Sequence, residues 1–275
     1  MIRIERGPEP AALVPIRTAE LQRVRPMNST GTLDSDAIGQ AYAVVKRELW
    51  TQQLMRCCYC EHQVQCDYSD VEHFRPKASA DRQNGTVDKG YWWLTWTWEN
   101  LLFSCAICNR SAKKDLFPLE AGSVPLVPEE QPPGKELPTL IDPCAEDPVE
   151  SIQFVFDGSH WQPVGRNGSR RGQQTIELLK LGRADLLTLY DTHVNDHVKP
   201  RTDATHEAIV RQDVDLIRST WRRVRAFLAP RMPFIALSFD AIDHFVPADV
   251  RGRWGLDLPR PPVRAAPTPG PTTPG

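Results

Sequence analysis

The sequence predicts an α+β fold in which a small metal-held module carries helical segments before and after it. Three observations predict it. Two C-x-x-C pairs, Cys57/Cys60 and Cys105/Cys108, have 44 residues between them. Short strand-like runs lie between and beside the pairs, at 69–75 and at Leu101–Phe103. Apolar residues recur at helical spacing on both flanks, as in Ile38, Tyr42, Val45 and Leu49 upstream and in the block from Gln173 to Leu228 downstream.

Composition bounds the chain before any element is placed. Its 275 residues are 40% hydrophobic and 25% charged, with a formal net charge of −2, which is ordinary for a globular protein. No window approaches the roughly 18 consecutive apolar residues that a membrane span needs. The start, MIRIERGPEP, lacks the apolar core of a signal peptide. A cytoplasmic location is the expectation, with no membrane and no small-molecule substrate. The overall charge does not mark a nucleic-acid binder, but residues 166–231 hold 13 Lys/Arg against 8 Asp/Glu, so any phosphate-binding surface is local or shared with a partner.

Seven cysteines form an odd set, and four of them stand in the C-x-x-C pairs. In a reducing compartment that favours metal over disulfides. Four thiolates at this spacing, Cys57, Cys60, Cys105 and Cys108, close a tetrahedral structural Zn2+ site with no open position for chemistry. Cys58, flanked by these ligands, is the alternative to one of them; with Cys66 and Cys144 it otherwise reads as a spare thiol.

Taken in order, residues 1–33 contain Pro8, Pro10, Pro15 and Pro26 and read as an extended lead-in. Asp34 or Ser35 offers an N-cap for a helix over 34–55 that braces the module. The module spans 56–120. In it Asn84-Gly85 and Gly90 mark a loop, the aromatic run from Tyr91 to Trp98 reads as core, and Cys108 to about Leu116 reads as a short helix. A proline-rich arm and a hairpin around Asp157-Gly158 fill 121–165. The region 166–255 reads as helical, with a break expected at Gly182 and then two helices, Ala184–Val198 and Thr202–Leu228, separated by Pro200. The proline-rich tail, 256–275, reads as disordered.

Between and after the cysteine pairs stand Glu72-His73, Asn100-Leu101 and Asn109. Hydrolysing a phosphodiester requires a base for water, a cation for the developing charge and a group that orients the base. His73 suits the base, since an imidazole titrates near neutral pH. Glu72 and Asn109 offer hard oxygen ligands for a catalytic Mg2+ or Mn2+. Asn100 would fix His73 through a hydrogen bond or by ordering the backbone around it. Neighbours on a strand face opposite ways, so Glu72 and His73 serve one site only if the strand ends or bends there; Pro76 is close enough to mark that end. Arg75, Lys77, Arg110 and Lys113, with Lys114, lie near enough to hold phosphates, though a solvated face accounts for them equally well. His193, His197 and His206 read as surface or packing histidines, and His62 as a possible support for the first cysteine pair.

This set resembles the HNH endonucleases, whose ββα-metal fold carries a Cys pair, an acidic-His pair followed by Pro, an Asn-Leu and a closing Cys pair on two strands and a helix. The resemblance implies His73 as general base, Glu72 as the metal-binding acid, Asn100 as the central Asn and Asn109 in place of the final metal-ligating His. Cys57-x-Tyr-Cys-Glu61, Val71-Glu-His-Phe-Arg-Pro-Lys77, Tyr91-Trp-Trp-Leu94, Trp98-Glu-Asn-Leu101, Ile141-Asp-Pro143 and the run from Arg171 to Leu181 are similar to one bacterial subfamily, found beside ATPases in Septu-type and retron-associated antiphage defence. That likeness covers roughly residues 40–190. It implies a DNA endonuclease, acting on double strands, with an ATPase partner. Two other classes stay open: a non-catalytic zinc-ribbon-like module that binds DNA or protein, and a nuclease toxin acting on tRNA or other RNA.

Overall fold

The computed structural model describes residues 1–265. They form two compact units, one of residues 4–58, 63–144 and 264–265, the other of residues 1–3, 59–62 and 145–263.

The first unit begins with β1 (Ile4–Glu5), which pairs in parallel with Arg264–Ala265. Next comes α1 (Leu13–Ser29), where an extended lead-in was expected. Pro15 falls in the first helical turn, where backbone N–H groups have no helical acceptor, and Pro26 lies near the far end. Only Leu13 and Val24 of this helix are buried, so no apolar period announces it. The single helix expected over 34–55 is instead α2 (Ser35–Ile38), a 3-10 turn Ala41–Val45 and α3 (Lys46–Gln52). Asp34 caps α2 by accepting from the Ala37 N–H at 2.8 Å, and Gly39 at φ +69° then breaks it. Ile38, Val45 and Leu49 nevertheless all turn inward.

β2 (Ser69–His73) follows, then the small hairpin of β3 (Ser79–Asp81) and β4 (Val87–Lys89), then β5 (Leu101–Cys105). The hairpin, where only a loop was expected, turns over Asn84-Gly85 with Gly85 at φ +87°. β2 and β5 run antiparallel, with Val71 opposite Phe103, Glu72 opposite Leu102 and His73 opposite Leu101. The Gln53 side chain braces β5 by accepting from the Phe103 N–H and donating to its carbonyl, both at 2.8 Å. The segment after β5 is a π-helical turn, Ile107–Lys113, in place of the short α-helix expected. Aromatic residues supply the core that a small module cannot build from aliphatics. Tyr91, Trp92, Trp93, Trp96 and Trp98 are all buried, and Phe117 meets both Phe74 and Tyr91 edge-on with ring centroids 5.5 Å apart.

The second unit starts from the hairpin of β6 (Ile152–Phe156) and β7 (Trp161–Gly165), with Gly158 at φ +100° in its turn. Helices α4 (Arg170–Leu178) and α5 (Ala184–His193) follow, and α5 runs on into a π-helical turn, Val194–Val198. One helix was expected over Thr202–Leu228; the chain forms α6 (Lys199–Val210) and α7 (Val214–Arg225). Gln212 at φ +52° breaks it, and Asp213 caps the new start by accepting from the Leu216 N–H at 3.0 Å. Pro200 ends nothing, because it sits in the first turn of α6. α8 (Ile235–Phe245) and α9 (Ala248–Trp254) complete the unit. Glu61 caps α8 by accepting from the Ile235 N–H at 2.9 Å, and His62 stacks on Phe234. His193 is buried and hydrogen-bonds Ser238 Oγ at 2.8 Å, a packing role.

The expectation of a disordered tail fails for residues 256–265. The Asp257 carbonyl accepts from Trp221 Nε1 at 2.9 Å, and Arg264 is fully buried. Residues 266–275 lie outside the described part. Among the described residues no helix is long and apolar enough to cross a membrane.

Candidate active site and cysteine cluster

The Sγ atoms of Cys57, Cys60, Cys105 and Cys108 all lie within 4.8 Å of one another, a group able to hold a structural metal such as zinc. Tetrahedral zinc with Zn–S near 2.3 Å places sulfurs about 3.8 Å apart, a spacing inside that limit. Cys108 N–H points to Cys105 Sγ at 3.4 Å. Cys58 is set apart: burial, and the neighbouring Cys57, push its thiol well above the usual range, so it stays protonated.

Beside β2 lies a pocket of about 230 Å³ lined by residues that include Tyr42, Glu72, His73, Lys77, Asn109 and Lys114. Glu72 and His73 reach the same pocket because His73 is the last residue of β2, where the strict alternation of a strand ceases to apply. Asn109 arrives from the π-helical turn that β5 leads into. Three of the four residues expected at the catalytic centre therefore share one cavity.

His73 is 8% exposed, and its Nε2 lies 3.0 Å from the Thr95 carbonyl oxygen. A carbonyl only accepts, so Nε2 carries the proton and Nδ1 keeps its lone pair. Burial is the main cause that lowers the imidazole pKa to about 3; the charges of Lys77 and Lys113 add to it, while the Thr95 bond opposes. The ring is neutral at physiological pH, but contrary to the expectation from sequence it does not titrate near neutrality, and at that pKa it is a weaker proton acceptor than an ordinary imidazole. Tyr42 meets it edge-on at 4.5 Å between centroids.

Asn100, the fourth expected residue, lies outside the cavity lining and is 3% exposed. Its amide oxygen accepts from the Arg75 N–H at 2.8 Å, and its amide nitrogen donates to the Arg75 carbonyl at 3.0 Å and the Leu94 carbonyl at 3.2 Å. It therefore clamps the backbone just after His73, and none of these hydrogen bonds goes to the ring.

The expected phosphate ligands separate. Arg75 is buried and ion-paired with buried Glu136 at 2.7 Å. Lys113 is 1% exposed; its Nζ lies 2.8 Å from Glu72 Oε1 and donates to the His73 carbonyl at 2.9 Å. Neither reaches a surface. Lys77 lines the pocket, donating to the Gly39 carbonyl at 3.0 Å and to Tyr42 Oη at 3.2 Å, and burial lowers its pKa. Arg110 is exposed, its guanidinium forked onto Asp70 at 2.5 and 2.8 Å. Sequence reasoning missed Thr95, whose backbone carbonyl leaves no trace in residue type, and Glu136, which lies far along the chain. Tyr42 was visible only as one position on a helical face.

No family model and no solved structure matches the chain. It is 34% identical over 196 residues to the Septu protein PtuB of Bacillus mycoides strain KBAB4, covering 68% of this chain. The alignment spans 64% of that relative's length. It is also 25% identical over 136 residues to the Septu protein PtuA of the same strain, covering 49% of this chain but only 18% of PtuA. These likenesses link the chain to the Septu proteins.

Proposed function

We propose that the chain is a divalent-metal-dependent DNA endonuclease of the HNH type, the effector of a Septu antiphage defence system that works with an ATPase partner. The observation that carries this reading is the neutral His73, its Nε2 proton committed to the Thr95 carbonyl, in one pocket with Glu72 and Asn109. The likeness to PtuB supports the defence role, and the likeness to PtuA, although confined to a short part of that protein, supports a two-component setting.

In this reading Nδ1 of His73 takes a proton from water as the water oxygen bonds to phosphorus. The bond from phosphorus to the 3′ oxygen breaks, and that oxygen leaves with the electron pair. Asn100 is a positioning residue, since it fixes the backbone that carries the base. Glu72 and Asn109, a carboxylate and an amide oxygen donor in a pocket with room for water, fit Mg2+ or Mn2+. Bound there, the ion would stabilise charge on the phosphorane and the leaving oxygen. The cysteine cluster would hold zinc as scaffold.

One observation favours a non-catalytic zinc module: Glu72 already has an ion-pair partner in Lys113. Plasmid nicking separates the two. The nuclease reading expects relaxation of supercoiled DNA that requires added Mg2+ or Mn2+. His73→Ala should lose at least about 100-fold of the rate, as for a general base, with zinc content and melting temperature retained. Cleavage undiminished in that variant would remove His73 from the chemistry.

A further inference from the structure

α7 buries Ile217, Thr220, Trp221 and Val224, half-buries Leu216 and Ser219, and turns its opposite side to solvent. On that outer side Arg218, Arg222 and Arg225 recur at i, i+4 and i+7, with Arg223 beside them, and all four are exposed. A rise of about 1.5 Å per residue spaces the first two about 6 Å apart along the axis. Arg225 pairs with Asp257 at 2.8 Å. Arg218, Arg222 and Arg223 have no ion pair or hydrogen bond from their side chains among the described residues. Exposed Asp215, one turn before Arg218, does not pair with it. Elsewhere in the same unit, arginines 166, 171, 183, 251, 253 and 260 all have carboxylate partners.

We propose that this arginine face of α7 binds the phosphate backbone of duplex DNA. A protein partner would meet apolar or aromatic anchors at the centre of such a surface. After Val214 at its first residue, α7 exposes no large hydrophobic side chain. Four solvent-facing guanidiniums on one side of a helix, three of them unpaired, instead suit a row of phosphates, each taken by a forked pair of N–H donors. The proposal goes beyond the cleavage reading and does not depend on it, since binding here needs neither His73 nor a catalytic ion.

The test is fluorescence anisotropy of a short labelled duplex of mixed sequence, titrated with the full chain without added divalent cation, at salt between about 50 and 200 mM. Each lost phosphate contact flattens the dependence of log K on log salt by about 0.9. The triple variant R218Q/R222Q/R223Q should thus flatten it by about 2.7, with the melting temperature unchanged. Restoring charge as R218K/R222K/R223K should recover most of the slope, and R251Q/R253Q, which alters paired arginines, should leave it alone. His73→Ala should bind as the wild type does, so loss of cleavage and loss of binding remain distinguishable. A triple Gln variant with the wild-type slope overturns the proposal, as does a wild type that binds no duplex.

Discussion

The pocket beside β2 and the outer face of α7 both concentrate positive charge, yet they treat it in opposite ways. In the pocket unit, Arg75 and Lys113 follow the Glu-His pair and the second cysteine pair closely in sequence, and folding draws them inside. There they become the partners of Glu136 and Glu72. On α7 the arginines sit on a helix whose inner side is already filled by Ile217, Trp221 and Val224, so Arg218, Arg222 and Arg223 stay in water and unpaired. Nearness to a motif in sequence therefore says little about whether a cation meets a ligand. Burial turns it into scaffold.

The contrast predicts a graded response to substitution. The largest effect belongs to Lys113→Met, which leaves the Glu72 carboxylate buried without its partner and strips a donor from the His73 carbonyl. Removing one member of such a pair costs about 3–5 kcal/mol, measurable by chemical denaturation. Adding Glu72→Gln to that variant should restore part of the loss. A Lys113→Met protein as stable as the wild type would mean the pair is not the brace described.

A smaller effect concerns pH. The His73 imidazole stays neutral in the folded protein down to about pH 3, while in the unfolded chain it takes a proton near pH 6.5. Between these values the unfolded state binds the extra proton, so stability falls as pH falls. Above about pH 6.5 this contribution is complete and flat. Comparison with His73→Gln isolates it: between pH 6 and 4 the wild type should lose about 1.4 kcal/mol more per pH unit than the variant. Equal slopes would place the imidazole in water. Smallest of all, the α7 glutamine variants should leave stability where it was, since their side chains support no other group; a lowered melting temperature would erase the contrast.

Much of the site was legible in the sequence because its chemistry is local. The C-x-x-C spacing specifies a four-sulfur cluster, and Glu72-His73 before Pro76 marks a strand that ends where both side chains can serve one cavity. What stayed hidden depends on burial and on chain reversals without side-chain signals. α1 was masked by prolines that fall near its ends, where they break little. The split between α6 and α7 rests on Gln212 at positive φ, with no glycine or proline to announce it. Arg75 and Lys113 look like surface cations in any linear reading, because the acids that bury them, Glu136 and Glu72, pair with them only through the fold.

For His73 to act as base, its ring must rest neutral, with the proton on Nε2 and a lone pair on Nδ1. Nitrogen-15 NMR of the histidine side chains, with His73→Gln to assign the signal, reports this directly. Near pH 7 the His73 ring should show a protonated Nε2, an unprotonated Nδ1 and no titration until well below pH 6. A charged ring at pH 7, or the proton on Nδ1, would contradict it.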